Sequence, residues 1–270
     1  MDDSIYYGRN YLSKYLTSVR SKGCYTFTLV ELREQFIVSS ISLNQSLGRL
    51  KAKNEIAQIR KGFYAIIPPE YSSQGMLPPY LFLDDLMKSL NKRYYLALLS
   101  AAAIWGAAHQ QPMEYFVLVE SPAPRSVNSK KLKLDFLGKK EWIGEGIIQQ
   151  KTQSGYMSIS SPELTALDLC AYADTFGINR VVTILQELVQ NIKLPALVKI
   201  AKQYANTTAI QRLGYVLDVV LLKEKLAIAL WKVMLERKYY SVPLSSQKEK
   251  KGLIDYRWKV IVNMQIDSDL

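Results

Sequence analysis

The order of short apolar patterns between residues 9 and 67 constrains the fold of this chain more than any other feature of its sequence. Leu12, Leu16 and Val19 follow helical spacing within residues 9–22. A short run of strand character, CYTFT, comes after Gly23. Thr28 then opens a Thr-x-x-Glu capping box, which predicts the start of a second helix. The first half of this region is therefore expected to be helix, strand and helix.

The second half of the region predicts a tight turn, a further helix and a hairpin. After the turn IVSS, Ser39 or Ser40 is a candidate helix start, and the helix runs from about 41 to 53. Residues 56–60 and 63–67 predict two strands joined by Lys61-Gly62. This order is typical of a winged helix-turn-helix module, which we predict for residues 1–75.

The helix at 41–53 has two chemically different sides. Leu43, Leu47 and Leu50 share one side, and polar or basic side chains occupy the other. Glutamine can pair bidentately with adenine and arginine with guanine, so this face suits the major groove of DNA. No acidic residue lies between positions 35 and 54. The predicted DNA contacts are Ser42, Asn44, Gln45, Arg49 and Lys53 on the helix, with Arg60 and Lys61 at the hairpin tip.

Two further interpretations concern this module. Gly48 lowers helix stability by about 1 kcal/mol relative to alanine, and we interpret it as allowing close approach of another backbone. Winged helices also serve as protein–protein modules, so a protein-binding adaptor remains an alternative to a DNA reader. Salt-dependent binding to duplex DNA would separate the two.

The stretch PPEYSSQGMLPP at 68–79 predicts a linker or domain edge because proline fixes backbone angles and removes hydrogen-bond donors. Beyond it, residues 80–270 predict a second domain. The expected fold class is α+β, with the winged helix followed by a larger mixed α/β, mostly helical domain. Its expected elements are helices at about 81–91 and 93–108, strands at 115–120, 131–137, 145–151 and 155–160, helices from Ser161-Pro162-Glu163 to about 237, and a last strand around 258–264.

Enzyme classes find little support in the sequence. The only histidine, His109, follows an apolar run, and neither a Gly-x-Ser-x-Gly elbow nor a Walker loop is present. Glu120, Asp135 and Lys139 imitate a nuclease spacing, but Leu137 stands where such a motif needs lysine. We therefore expect no catalytic residues, no metal and no cofactor. An enzyme with an unrecognised nuclease-like second domain remains the alternative.

Charge and cysteine content bear on partners and compartment. The net charge is +11, which suits polyanions or acidic partners. Lys130, Lys131 and Lys133 form a candidate basic surface in the second domain, or else protect a sheet edge from pairing with other chains. Two cysteines outside any metal-binding pattern, an acidic start and the shortness of the apolar run at 94–108 favour a cytoplasmic protein without membrane contact.

Three stretches together resemble one family, the AbiEi antitoxins of bacterial type IV toxin–antitoxin and abortive-infection systems. They are IRKGFYAIIP, YYLALLSAAAIWGAAHQQPMEYFVLVES and SISSPELTALDLCAY. The resemblance implies an amino-terminal domain that binds inverted-repeat operator DNA and represses its own operon. It also implies a carboxy-terminal antitoxin domain that opposes a nucleotidyltransferase-like toxin without needing a stable complex with it. It implies no catalytic residues.

Overall fold

The computed structural model describes residues 10–107 and 114–266, and within them it is a mixed α/β protein with several sheets. His109 lies outside the described residues. The elements up to residue 104 are α1 (Tyr11–Ser21), β1 (Thr26–Thr28), α2 (Leu29–Gln35), α3 (Ser40–Ala52), β2 (Ile56–Arg60), β3 (Phe63–Ile66), α4 (Leu83–Ser89), β4 (Tyr94–Leu96) and α5 (Leu98–Ile104). Short 3-10 turns at Pro69–Tyr71 and Pro79–Leu81 precede α4.

Among the described residues from 115 onward, five strands are followed by six helices and three short strands. They are β5 (Tyr115–Glu120), β6 (Val127–Asn128), β7 (Lys133–Lys139), β8 (Ile147–Thr152), β9 (Gly155–Ser160), α6 (Pro162–Ala171), α7 (Ala173–Phe176), α8 (Ile178–Leu188), α9 (Leu194–Gln203), α10 (Thr207–Tyr215), α11 (Glu224–Leu235), β10 (Val242–Pro243), β11 (Leu253–Asp255) and β12 (Val260–Val262). A 3-10 turn follows α8 and a π-helical turn follows α10.

The chain divides into two compact units that do not follow the sequence continuously. The first contains the described residues up to Arg93, together with Arg125–Asp135 and Gln149–Met157. The second contains Tyr94–Pro124, Phe136–Ile148 and the described residues from Ser158 onward. The domain ranges 1–75 and 80–270 remain a prediction about which pieces fold independently.

The first unit shows the element order predicted for residues 9–67. Its three-stranded antiparallel sheet has the order β1-β3-β2. The predicted capping box is present, since Thr28 Oγ1 accepts from Glu31 N at 3.2 Å and Thr28 N donates to Glu31 Oε2 at 2.6 Å. Ser39 caps α3 by accepting from Ser42 N at 3.2 Å. One apolar core joins the helices to the sheet, and its buried members are Tyr11, Leu12, Leu16, Phe27, Leu32, Phe36, Leu43, Leu47, Leu50, Ile56, Tyr64 and Ile66.

The proline-rich stretch at 68–79 is packed rather than extended as a spacer. Leu77 is fully buried, and Pro79 is also buried at the start of its 3-10 turn. The backbone N–H of Gly75 donates to the carbonyl of Tyr71 at 2.9 Å. Composition indicated a linker or a domain edge, because proline is common in both, but proline also fits short, rigid turns of a packed segment.

The helix predicted at 93–108 is wrong over its first residues. Tyr94–Leu96 form β4, which pairs antiparallel with β5 and parallel with β9, and only Leu98–Ile104 are helical. All three strand residues are buried. A strand buried on both faces shows no alternation, so its apolar run looks like part of a buried helix. Within the described residues, no helix has the length and apolarity needed to cross a bilayer.

β7 is not an edge strand of the six-stranded sheet. The sheet order is β6-β7-β5-β4-β9-β8, and Lys133 pairs with Asn128 of β6. Lys130 and Lys131 lie in the turn between β6 and β7. The interpretation of these lysines as guards of a sheet edge therefore does not hold for Lys133, because its strand is paired on that side.

The second unit is mostly helical around a large apolar core. Trp258 lies fully buried before β12, and its Nε1 donates to Asp218 Oδ2 at 2.9 Å. The predicted helix start at Ser161 is confirmed, since its side chain accepts from Leu164 N and Pro162 opens α6. The small sheet of β10, β12 and β11 covers the expected last strand.

Two glycines differ sharply in the space around them. A Cβ built at Gly214 would lie 2.0 Å from Cζ3 of Trp258, so α10 needs glycine there. A Cβ built at Gly48 meets no atom of the described residues within 4 Å. The interpretation that Gly48 admits another backbone of this chain is therefore not supported by the described residues.

We expect Gly214→Ala to lower the free energy of unfolding by about 1–3 kcal/mol, because the core must shift to admit a methyl group. Gly48→Ala should raise it by about 1 kcal/mol, because alanine is the better helix former. Urea unfolding is measured by far-ultraviolet circular dichroism and by tryptophan fluorescence. All four tryptophans lie in the second unit, so the fluorescence transition should move only for Gly214→Ala. An unchanged free energy of unfolding in Gly214→Ala would contradict this packing.

Candidate nucleic-acid interface

The predicted reading face of α3 is exposed. Leu43, Leu47 and Leu50 are buried in the core of the first unit. Ser42, Asn44, Gln45, Arg49 and Lys53 are all exposed on the remaining surface. The 3.6-residue period of the helix produces this separation, because burying one stripe turns the opposite stripe outward. Ser42, Gln45, Arg49 and Lys53 thus share the side opposite the leucines, and Asn44 is exposed on its flank.

The exposed surface of α3 and the residues after it is basic. Arg49 Nη2 donates to Ser46 Oγ at 3.1 Å, one turn earlier on the helix. Lys51 Nζ donates to Gln58 Oε1 at 3.3 Å, which links the end of α3 to β2. Lys53 caps the helix and is exposed. Lys51 and Lys53 follow the candidate base-reading side chains along the chain and suit contacts with phosphate oxygens.

The hairpin tip presents one of its two predicted cations. Lys61 is exposed in the turn between β2 and β3, and Gly62 takes a positive φ of 81° there. Arg60 is only partly exposed, and its Nη1 atom is buried without a hydrogen-bond partner in the described structure. The carbonyl of Gly62 accepts from Leu29 N at 2.8 Å, which holds the tip against the start of α2.

Two exposed isoleucines beside the reading face were missed by the sequence analysis. Ile37 in the turn before α3 is 77% exposed, and Ile41 in its first turn is 73% exposed. Ile41 falls outside the stripe of Leu43, Leu47 and Leu50, so helical spacing alone could have indicated that this apolar side chain is exposed. Exposed branched apolar side chains suit contact with a thymine methyl group or with a partner protein.

A basic turn distant in sequence is fixed next to the end of α3. Lys131 Nζ donates to Asn54 Oδ1 at 3.3 Å and approaches the carbonyl of Gly75 at 3.5 Å. All three residues belong to the first unit. Lys130 and Lys133 are exposed on the same turn and strand. The predicted basic surface is thus grouped with α3 and lies outside the second unit.

The second unit contains a buried ionic cluster that the sequence analysis missed. Asp168 on α6 is fully buried, and its Oδ1 accepts from Lys139 Nζ at 2.8 Å and from Tyr204 Oη at 2.7 Å. Its Oδ2 accepts from Tyr95 Oη at 2.8 Å. Lys139 Nζ also donates to Tyr95 Oη at 2.8 Å. Every charged group of the cluster therefore has a partner.

The tyrosines of the cluster remain hydrogen-bond donors at neutral pH. Burial raises the pKa of Tyr95 well above its usual value, and the negative charge of Asp168 raises it further. The same two causes raise the pKa of Tyr204. Lys139 Nζ also lies 4.6 Å from the centroid of the Tyr204 ring, a favourable cation–π distance. The negative charge of Asp168 is therefore balanced by Lys139 and by the hydroxyl groups of Tyr95 and Tyr204.

The lysine of the nuclease-like spacing has a partner elsewhere in the fold. Lys139, part of that spacing, forms an ion pair with the buried Asp168. Among residues 10–107 and 114–266, no group of three or more His, Cys, Asp or Glu side chains is placed to hold a metal ion. The described residues thus give the nuclease interpretation no geometric support.

We expect Lys139→Met to lower the free energy of unfolding of the second unit by about 3–5 kcal/mol, because it leaves Asp168 buried without its cation. Lys140→Met is the matched control, since Lys140 is the exposed neighbour. Urea unfolding followed by tryptophan fluorescence measures both variants. Equal stability of the two variants would show that the ion pair contributes little.

Comparison with known proteins found a family model that matches residues 95–219 and a solved structure of similar fold. Residues 95–219 match the family model of the AbiEi antitoxin C-terminal domain, which confirms the resemblance expected from the sequence. The crystal structure of the RV2827C protein from Mycobacterium tuberculosis has a similar fold, with a TM-score of 0.64 at 17% identity over 92% of this chain and 90% of that one. No curated protein sequence matches this chain significantly.

Proposed function

We propose that this protein is the antitoxin of a type IV toxin–antitoxin system and the repressor of its own operon, because residues 95–219 match the family model of the AbiEi antitoxin C-terminal domain. In this proposal the amino-terminal part binds an inverted-repeat operator as a winged helix-turn-helix module. The antitoxin part opposes a nucleotidyltransferase-like toxin, and a stable complex between the two is not required.

The observation that carries the DNA-binding part is the exposed polar and basic face of α3. α2 and α3 are separated by the four residues 36–39, and the β2–β3 hairpin follows. In helix-turn-helix proteins the second helix enters the major groove and its amino-terminal residues contact base edges. Ser42, Asn44 and Gln45 occupy that position on α3, and all are exposed.

The proposed contacts divide into base readers and phosphate binders. Gln45 and Arg49 read bases through paired hydrogen bonds, and Ile41 contacts a thymine methyl group. Lys53 and Lys61 neutralise phosphates and set the position of the helix. Arg60, whose guanidinium is partly buried, supports the hairpin rather than reaching the duplex.

Lys130, Lys131 and Lys133 are proposed to extend the DNA-binding surface. The supporting observation is the bond between Lys131 and Asn54, which lies two residues beyond α3. With Lys131 held there, Lys130 and Lys133 are positioned to contact phosphates beside the site read by α3. This assigns the basic turn to operator binding instead of toxin neutralisation.

An adaptor function is the second candidate, and the exposure of Ile37 and Ile41 favours it. A protein-binding face would use these side chains as apolar anchors. The two functions differ in salt dependence, because only DNA binding releases condensed counterions in proportion to the phosphates neutralised. A steep loss of duplex affinity between low and moderate salt supports the repressor.

The base readers and the phosphate binders should differ in their effect on specificity. Gln45→Ala or Arg49→Ala is expected to make binding to the cognate operator less favourable by about 1–3 kcal/mol and to leave binding to random duplex unchanged. Lys61→Ala should lower the affinity for both duplexes alike. It should also reduce the slope of log affinity against log salt concentration by about 1. Fluorescence anisotropy with the operon's own upstream DNA measures these effects. Indistinguishable effects of the two classes would mean that another face of α3 reads the DNA.

Residues 1–75 are proposed to fold alone and to bind duplex DNA, because every buried member of the core around α3 lies between Tyr11 and Ile66. The fragment should bind more weakly than the full chain, since it lacks Lys130, Lys131 and Lys133. Full-length Lys130→Gln/Lys133→Gln is the matched control and should reproduce part of that loss. A folded fragment that ignores DNA at low salt would refute the assignment.

Growth rescue of cells expressing the toxin tests the antitoxin part separately. Full-length Arg49→Ala should still rescue growth while failing to repress a promoter reporter, because neutralisation is proposed to lie in the carboxy-terminal domain, residues 80–270. Loss of both activities in a folded Arg49→Ala protein would contradict this separation.

A further inference from the structure

A groove on the second unit, separate from the ionic cluster, has an apolar floor and a basic rim. It runs between α9 and α11 and encloses about 570 Å³. Its apolar lining includes Leu194, Val198 and Ile228, of which Leu194 and Ile228 are 38% and 37% exposed. Partly exposed apolar side chains that line one depression are typical of an interaction surface.

The groove is built from one face of each helix. On α9 the lining residues Leu194, Val198 and Lys202 are spaced four apart, and on α11 Lys225 and Lys232 are two turns apart. α9 has 10 residues and α11 has 12. At 1.5 Å per residue they extend for roughly 15–18 Å, which matches about three turns of a third helix.

The rim of the groove carries a net positive charge. Lys202, Lys225 and Lys232 are exposed, and none forms an ion pair with another described residue. In contrast, Lys199 on the same helix α9 is paired with Glu145 at 2.8 Å. Glu236 is the acidic residue of the lining, at one end. The groove therefore combines apolar contact area with a net positive rim.

We propose that this groove binds an amphipathic helix of another protein, with an apolar stripe flanked by aspartate or glutamate. The apolar floor favours aliphatic side chains, and the three lysines favour carboxylates on both sides of that stripe. An amphipathic helix in a groove between two helices is a recurrent recognition mode. This surface is additional to the DNA-binding and antitoxin functions proposed above and does not depend on either.

The full-length protein is tested with a fluorescein-labelled synthetic peptide about four helical turns long. The peptide carries leucine at i, i+3, i+4 and i+7, with glutamate at the flanking positions. Two further peptides of the same length replace either the leucines by glutamine or the glutamates by lysine. Fluorescence anisotropy should show saturable binding of the first peptide, and binding of the other two that is weaker by about tenfold or more.

Variants of the groove make the assignment specific. Lys225→Glu/Lys232→Glu should lower the affinity for the acidic peptide by about tenfold or more, because like charges repel. The same variant should bind the lysine peptide more tightly, because opposite charges attract. Lys223→Glu/Lys238→Glu is the matched control, since both lysines are exposed and lie outside the groove. Circular dichroism confirms that each variant is folded. The control should bind the acidic peptide like the parent protein.

Several results would overturn the proposal. Equal binding of the leucine and glutamine peptides would identify a general polyanion surface. Equal effects of the groove and control variants would place the peptide elsewhere. Absence of saturable binding would remove the docking site altogether. A concentration-dependent dimer that Lys225→Glu/Lys232→Glu abolishes would make a second copy of this chain the occupant.

Discussion

The burial of Leu43, Leu47 and Leu50 fixes the orientation of α3, and with it every proposed contact of that helix with DNA. Each buried leucine stabilises the fold by about 1.5–3 kcal/mol relative to an exposed one. Rotating α3 to present a different face would expose this stripe and bury Arg49 or Gln45 without partners. The composition of the core therefore selects the reading face, and the polar residues can vary without changing the position of the helix.

The second unit depends on a different kind of interaction. Asp168 accepts hydrogen bonds from side chains that lie on β4, on β7 and at the end of α9. A buried carboxylate with these partners accepts few alternative arrangements, because displacement of any element would leave a polar group unsatisfied. All members of this cluster fall within residues 95–219, so the region that matches the family model is organised around a polar centre as well as an apolar core.

The sequence predicted correctly those caps and strands that are determined by residues close together in the chain. The capping box at Thr28, the cap at Ser39 and the strand at Tyr115–Glu120 follow from neighbouring residues, and the structure confirms them. β4 was misassigned because an apolar run without alternation fits either a buried strand or a buried helix. Asp168 and Lys139 are 29 positions apart, and no local periodicity relates them. The pair arises from the topology of the second unit.

The proline-rich stretch contains packed turns, and these bear on the candidate interface. Proline and glycine indicate both mobile linkers and rigid packed turns, and burial of Leu77 shows the second case. Gly75 in this stretch contributes the carbonyl that Lys131 approaches. The stretch thus helps to fix a basic turn beside Asn54, far away in sequence. A boundary drawn from composition alone separates cations that the fold holds together, so the proposed DNA-binding surface is defined by contacts rather than by sequence continuity.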